Sequence, residues 1–134
     1  MRNRVFTVGH FYDGPRAGIA EYRGYPCLYE CQYSESEDEY TEFYRLSKVD
    51  EQLFQLALED WDIFLKWRTA FDEGKTDQST HPALPEDRRR HVEIQNILSP
   101  KLKIDENNQV TVRGSFIPTG DGPFSYEVEW SESI

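Results

Sequence analysis

Apolar and polar positions alternate along this chain in two rhythms, one with the period of a helix and one with the period of a strand. From Asp50 to Glu73 the period is helical. At about 100° per residue, Leu53, Ala57, Phe64 and Phe71 fall on one line. Leu56, Ile63, Trp67 and Ala70 flank it on one side, and Phe54, Leu58, Trp61 and Leu65 on the other. The polar strip left over is narrow, so this helix must be covered on several sides. Asp50 suits an N-cap, because its short side chain can accept from the free N–H groups of the first turn. Gly74 is a natural stop.

Elsewhere the period is two. Val5 to Phe11, Gly18 to Tyr22, Cys27 to Tyr33 and Tyr40 to Leu46 read as strands before the helix. Leu102 to Ile104, Val110 to Ile117 and Phe124 to Ser131 read as strands after it. The last is the clearest, with Phe124, Tyr126, Val128 and Trp130 alternating against Ser125, Glu127, Glu129 and Ser131. Tyr12-Asp13-Gly14-Pro15 and Arg23-Gly24-Tyr25-Pro26 carry turn chemistry. Pro85 suits the first position of a second helix with Ile94, Ile97 and Leu98 as its apolar stripe, and Pro100 ends it. Short turns between strands imply antiparallel pairing. The expected fold is a single α+β domain over residues 1–134. A curved antiparallel sheet of six to seven strands, in the order ββββ-αα-βββ, packs on one long central helix plus a shorter second helix.

Composition sharpens this picture in two ways. Aromatic residues make up 14% of the 134 residues, so the core is built from rings more than from aliphatics. The formal net charge is −10 and is spread along the chain. That balance argues against nucleic acid as a direct partner, since phosphate binding needs a cationic surface. It is compatible with a basic protein partner. No apolar run approaches a membrane span, and Met1 to Val8 lacks the apolar stretch of a secretory signal; a cytoplasmic location is expected. Cys27 and Cys31, on one face of a strand, lie roughly 13 Å apart, too far for a disulfide, and read as reduced buried thiols.

Candidate chemistry falls in four places. Asp60 and Arg68 project from the apolar arc of the long helix, and a buried carboxylate there needs a partner or a raised pKa. Asp13 and Arg16 flank a Gly-Pro turn that would present both charges. His81 to His91 concentrates two histidines and three arginines, with Arg88 and His91 as candidates for holding an anion or ligand. Asp87 and His91 are also spaced i, i+4, but no further His-rich element supplies a third metal ligand. Glu37, Asp38 and Glu39 belong to a short acidic patch able to dock a basic partner. Nucleophile-elbow and zinc-protease spacings are missing, so no catalytic residue, cofactor or metal is assigned.

The strings Phe11-Tyr12-Asp13-Gly14-Pro15-Arg16-Ala17-Gly18 and His81-Pro82-Ala83-Leu84-Pro85-Glu86-Asp87-Arg88 resemble segments of small bacterial proteins of unassigned function. In size and charge the chain is more loosely similar to acidic bacterial immunity proteins that block toxin partners. The leading expectation is a non-enzymatic acidic protein-binding module, immunity- or inhibitor-like toward a basic effector. The alternative is a small-ligand-binding protein or small enzyme in which Asp60, Arg16, Arg88 and His91 converge. A homo-oligomer stays open.

Overall fold

The computed structural model describes residues 1–132. The chain divides into two compact units, one from Met1–Val49 with the segment beginning at Lys103, the other Asp50–Leu102.

The first unit is a closed antiparallel barrel of six strands in sequence order: β1 (Asn3–Phe11), β2 (Pro15–Tyr22), β3 (Tyr25–Ser34), β4 (Glu39–Lys48), β5 (Val110–Pro118) and β6 (Tyr126–Ser131). Closure comes from the first and last strands, paired at Asn3↔Val128 and Arg4↔Glu127. β1 carries register shifts between Val5 and Thr7 and between Val8 and Phe11. Such bulges bend a strand and increase its twist, which helps a narrow barrel close. The interior is filled by the inward positions of the strands: Ala20, Cys27, Tyr29, Tyr44, Leu46 and Val128 are buried together, with Phe116 and Trp130 packed against them. The rings meet edge-on or tilted, Tyr29 at 5.1 Å from Phe116 and Tyr44 at 5.6 Å from Trp130. Their polar tips are satisfied. Tyr29 donates to Thr7 O (3.0 Å), Tyr44 to Pro15 O (3.0 Å) and the Trp130 indole to Glu21 O (2.9 Å). Cys27 and Cys31 are buried, free thiols on β3.

The second unit is a helical pair. Asp50 caps α1 (Glu51–Asp72) by accepting from the N–H groups of Gln52 and Leu53. Two 3-10 turns, Gln78–Thr80 and Pro85–Asp87, lead into α2 (Arg88–Lys101). Trp67, 2% exposed, anchors the unit. Phe71 stacks on it at 5.1 Å, His81 meets it edge-on at 4.8 Å, and its N–H donates to Thr80 Oγ1 at 2.8 Å. Ile94 and Leu98 are the buried stripe of α2, while Ile97 is exposed.

The expected open sheet wrapped on a central helix is therefore corrected to a closed barrel that fills itself with its own rings. The strand order is ββββ-αα-ββ, not ββββ-αα-βββ. The segment Leu102 to Ile104 is not a strand. The Leu102 N–H is taken by the helix, donating to Leu98 O (2.7 Å) as the cap of α2, and the chain then turns at Asp105, which accepts from the Asn108 N–H and donates to Ser47 Oγ (3.1 Å) on β4. Phe124 lies outside β6 because its backbone is left-handed (φ 57°). Pro100 lies inside the last turn of α2, one residue before its end.

Candidate functional site

Antiparallel order sends alternate connections to opposite ends of a barrel. The β1–β2 turn, the β3–β4 loop and the β5–β6 connection thus share one end. Tyr40, at the start of β4, is the hub of a ring cluster there. Tyr33 meets it edge-on at 5.1 Å, with Tyr12 at 6.1 Å and His10 at 6.3 Å. On the β5–β6 side, Phe124 stands 5.5 Å from Phe11 in edge contact. Tyr12 is 66% exposed, Tyr33 47% and Phe11 44%, so the rings form a patch on the surface and not a plug.

Carboxylates share this end with the rings. Asp13, Glu35, Glu37, Asp38 and Asp121 are exposed on the same three connections, and Glu39 is exposed at the first position of β4. Asp13 and Asp38 each hold a left-handed backbone (φ 52° and 53°), which a short polar side chain tolerates better than most. Tyr33 donates its phenol proton to Asp38. That bond is the main cause that holds the Tyr33 phenol above its ordinary pKa. Tyr33 is thereby fixed while its ring remains open to solvent.

Arg16 is the cation nearest this rim, and its donors are directed inward. It donates to Tyr12 O (2.7 Å) and Asp13 O (3.1 Å), stacks 4.6 Å over the Tyr40 ring, and reaches Cys31 Sγ at 3.6 Å. Arg16 therefore clamps the turn that displays Asp13. The end of the barrel as a whole thus places exposed aromatic rings beside carboxylates, with Arg16 turned toward the backbone and the Tyr40 ring.

The other expected site residues lie in the helical unit. Asp60 accepts from His91 Nδ1–H at 2.7 Å, the donor an ionised carboxylate requires, and from Gln95 Nε2 at 2.8 Å. Both Asp60 and His91 are largely buried (15% and 18% side-chain exposure). Beside them Arg90 forks onto Glu59 at 2.6 and 2.8 Å, and this bond lowers the Glu59 pKa below the usual carboxylate range. Lys66 lies 3.2 Å from Asp87 Oδ2, a charge contact without hydrogen-bond geometry. Arg88 donates to Thr80 O (3.0 Å) and Ala83 O (3.5 Å), bracing the loop before α2. Asp60 and His91 are thus brought together, whereas Arg16 and Arg88 each serve a local backbone. Among the described residues the hydrogen bonds of the Asp60–His91 pair reach Gln95 and no nucleophile, and no set of three His, Cys, Asp or Glu side chains could hold a metal ion.

Sequence reasoning found the acidic loop but not the rings beside it. Tyr12, Tyr33 and Tyr40 bracket two turns, and aromatics placed next to a turn of like charges were the available signal. Among the described residues no helix is long and apolar enough to cross a membrane. Compared with known proteins, the chain matches no described family, no curated protein and no solved structure.

Proposed function

We propose that this chain is a non-enzymatic protein-binding module that docks a basic partner on the aromatic, acidic end of its barrel. One observation carries the reading: the exposed rings of Tyr12, Tyr33 and Phe11 lie among carboxylates on three connections at a single barrel end. Rigid aromatic side chains supply most of the binding energy at protein interfaces, because they bury large area at small entropic cost. The carboxylates would steer a cationic partner and set its orientation more than they add affinity. An inhibitor-like role toward a basic effector is the biological form of this reading, and it draws on the net charge of −10 as well as on the site.

The test compares the wild-type chain with Glu37→Gln/Asp38→Asn/Glu39→Gln as immobilised bait in a lysate of the source organism. A partner held by the wild type, lost by the triple variant and released by salt supports the proposal. A partner held equally by both, with an affinity indifferent to ionic strength, overturns it.

A further inference from the structure

The opposite end of the barrel carries a different chemistry. There β2 turns into β3 at Arg23-Gly24, β4 ends at Lys48 and β5 begins at Val110. A cavity of about 250 Å³ opens at this mouth. Register explains its lining. Cys27 lies opposite Ala20 and Lys48, and Leu46 opposite Tyr29 and Val110, so these positions share the inward face of the sheet. Along β4 the inward series is Tyr44, Leu46 and Lys48: the first two are core, and the third is a cation at the opening. Leu46 and Cys27 form the apolar floor, while Tyr22, Tyr25 and Val110 belong to the walls.

Lys48 Nζ lies 3.9 Å from the centre of the Tyr25 ring. Among the described residues it has no carboxylate within ion-pair distance, although acidic residues outnumber basic ones in this chain by 25 to 15. Its charge is felt inside the mouth, where it pulls the Cys27 thiol down against the larger upward push of burial. At the rim, Arg23 binds the carboxylate of Glu132, whose pKa is lowered chiefly by that bond and also by a bond to the Tyr22 phenol. Arg23 and Tyr22 therefore already hold a carboxylate of the chain itself.

We propose that this mouth is a binding site for a small aromatic carboxylate, its ring against Tyr25, Leu46 and Val110 and its charge on Lys48. The site is independent of the docking end. Size sets the class of ligand: the cavity falls below the roughly 300–1,000 Å³ of pockets for drug-sized molecules, so it takes about one ring and its substituent. Charge sets the rest. An ammonium without a carboxylate partner among the described residues, at a mouth lined mainly by apolar side chains, favours an anion over its neutral isostere, since charge-assisted hydrogen bonds are the stronger class.

Benzoate and benzamide are suitable probes for the full chain, followed by amide NMR. Benzoate should give saturable shifts confined to residues 22–27, 46–48 and 108–110, and benzamide should bind about tenfold more weakly or worse. Lys48→Met should abolish that preference. Val110→Trp should block both probes by filling the cavity with Lys48 unchanged; both positions are exposed, so each variant is expected to fold. The proposal is overturned if benzoate and benzamide shift the same amides equally, if benzoate shifts only scattered surface lysines, or if Lys48→Met leaves benzoate binding intact.

Discussion

Position 18 is glycine because Tyr29 lies against it. A Cβ built on Gly18 would sit 2.6 Å from the Tyr29 hydroxyl oxygen and 2.2 Å from Thr7 O, and these two atoms are themselves joined by a hydrogen bond of 3.0 Å. The methyl group would displace either the β1 backbone or the phenol that crosses the barrel. Gly18→Ala should therefore cost about 3 kcal/mol or more, or prevent folding, as overpacking beside backbone does. Tyr29→Phe removes the hydrogen bond but keeps the ring and should cost about 1 kcal/mol. Urea denaturation of the two variants checks the ranking; equal losses would mean that the close approach does not matter.

Gly114 gives the same lesson on the other side of the interior. A Cβ there would sit 2.6 Å from the Trp130 ring and 2.9 Å from the Tyr44 ring. Here the obstacles are side chains already wedged against one another, so Gly114→Ala should also destabilise by about 1–3 kcal/mol. Thermal unfolding measures it. Gly24→Ala, with nothing within 4 Å, should lose only the backbone cost of its φ of +83°, about 1 kcal/mol.

Asp60 on α1 takes hydrogen bonds from both His91 and Gln95 on α2, so it links the two helices at two points. Removing one partner of a largely buried polar pair leaves the other unsatisfied, and Asp60→Ala is expected to cost about 1–3 kcal/mol. A double-mutant cycle of Asp60→Ala with His91→Ala should return a coupling of about 0.5–3 kcal/mol. A coupling near zero would show that the contact is incidental.

Burial pushes the phenols of Tyr29 and Tyr44 above the ordinary value of 10.0, most strongly by removing water from the charged form. The folded state keeps these protons when the unfolded chain has shed them. Stability from this source is fully present below about pH 10 and falls as pH rises through the folded values. The chain should lose stability in alkali, and tyrosinate absorbance should show these two residues titrating together with unfolding. Tyr44→Phe should shift the alkaline midpoint upward relative to its own stability at neutral pH; an unchanged midpoint would contradict the assignment.

How far the chain could be read without coordinates depended on the range of the interactions. The Asp50 cap, the helix beneath it and the alternation of Tyr126, Val128 and Trp130 are local, and all three appear in the structure. Barrel closure is not local. It requires Asn3 to find Val128, and alternation assigns faces without saying which edges meet. The same limit applied to the site. Glu37 to Glu39 were visible as a charged loop, but the ring contacts at that end, Tyr12 with Tyr40 and Phe11 with Phe124, join residues from different strands and connections that meet only in the folded barrel. Asp60 was visible as an exception to the apolar arc, but its partner His91 lies 31 residues away on a second helix.

The docking claim is tested most directly by an amide-exchange footprint of the chain, free and bound to the partner recovered by wild-type bait. Slowed exchange should fall on residues 11–14, 33–40 and 119–125, and Tyr33→Ala should weaken the complex by about tenfold or more. Slowed exchange confined to the Asp60–His91 helices or to the Lys48 mouth, with Tyr33→Ala binding as the wild type does, would contradict the account.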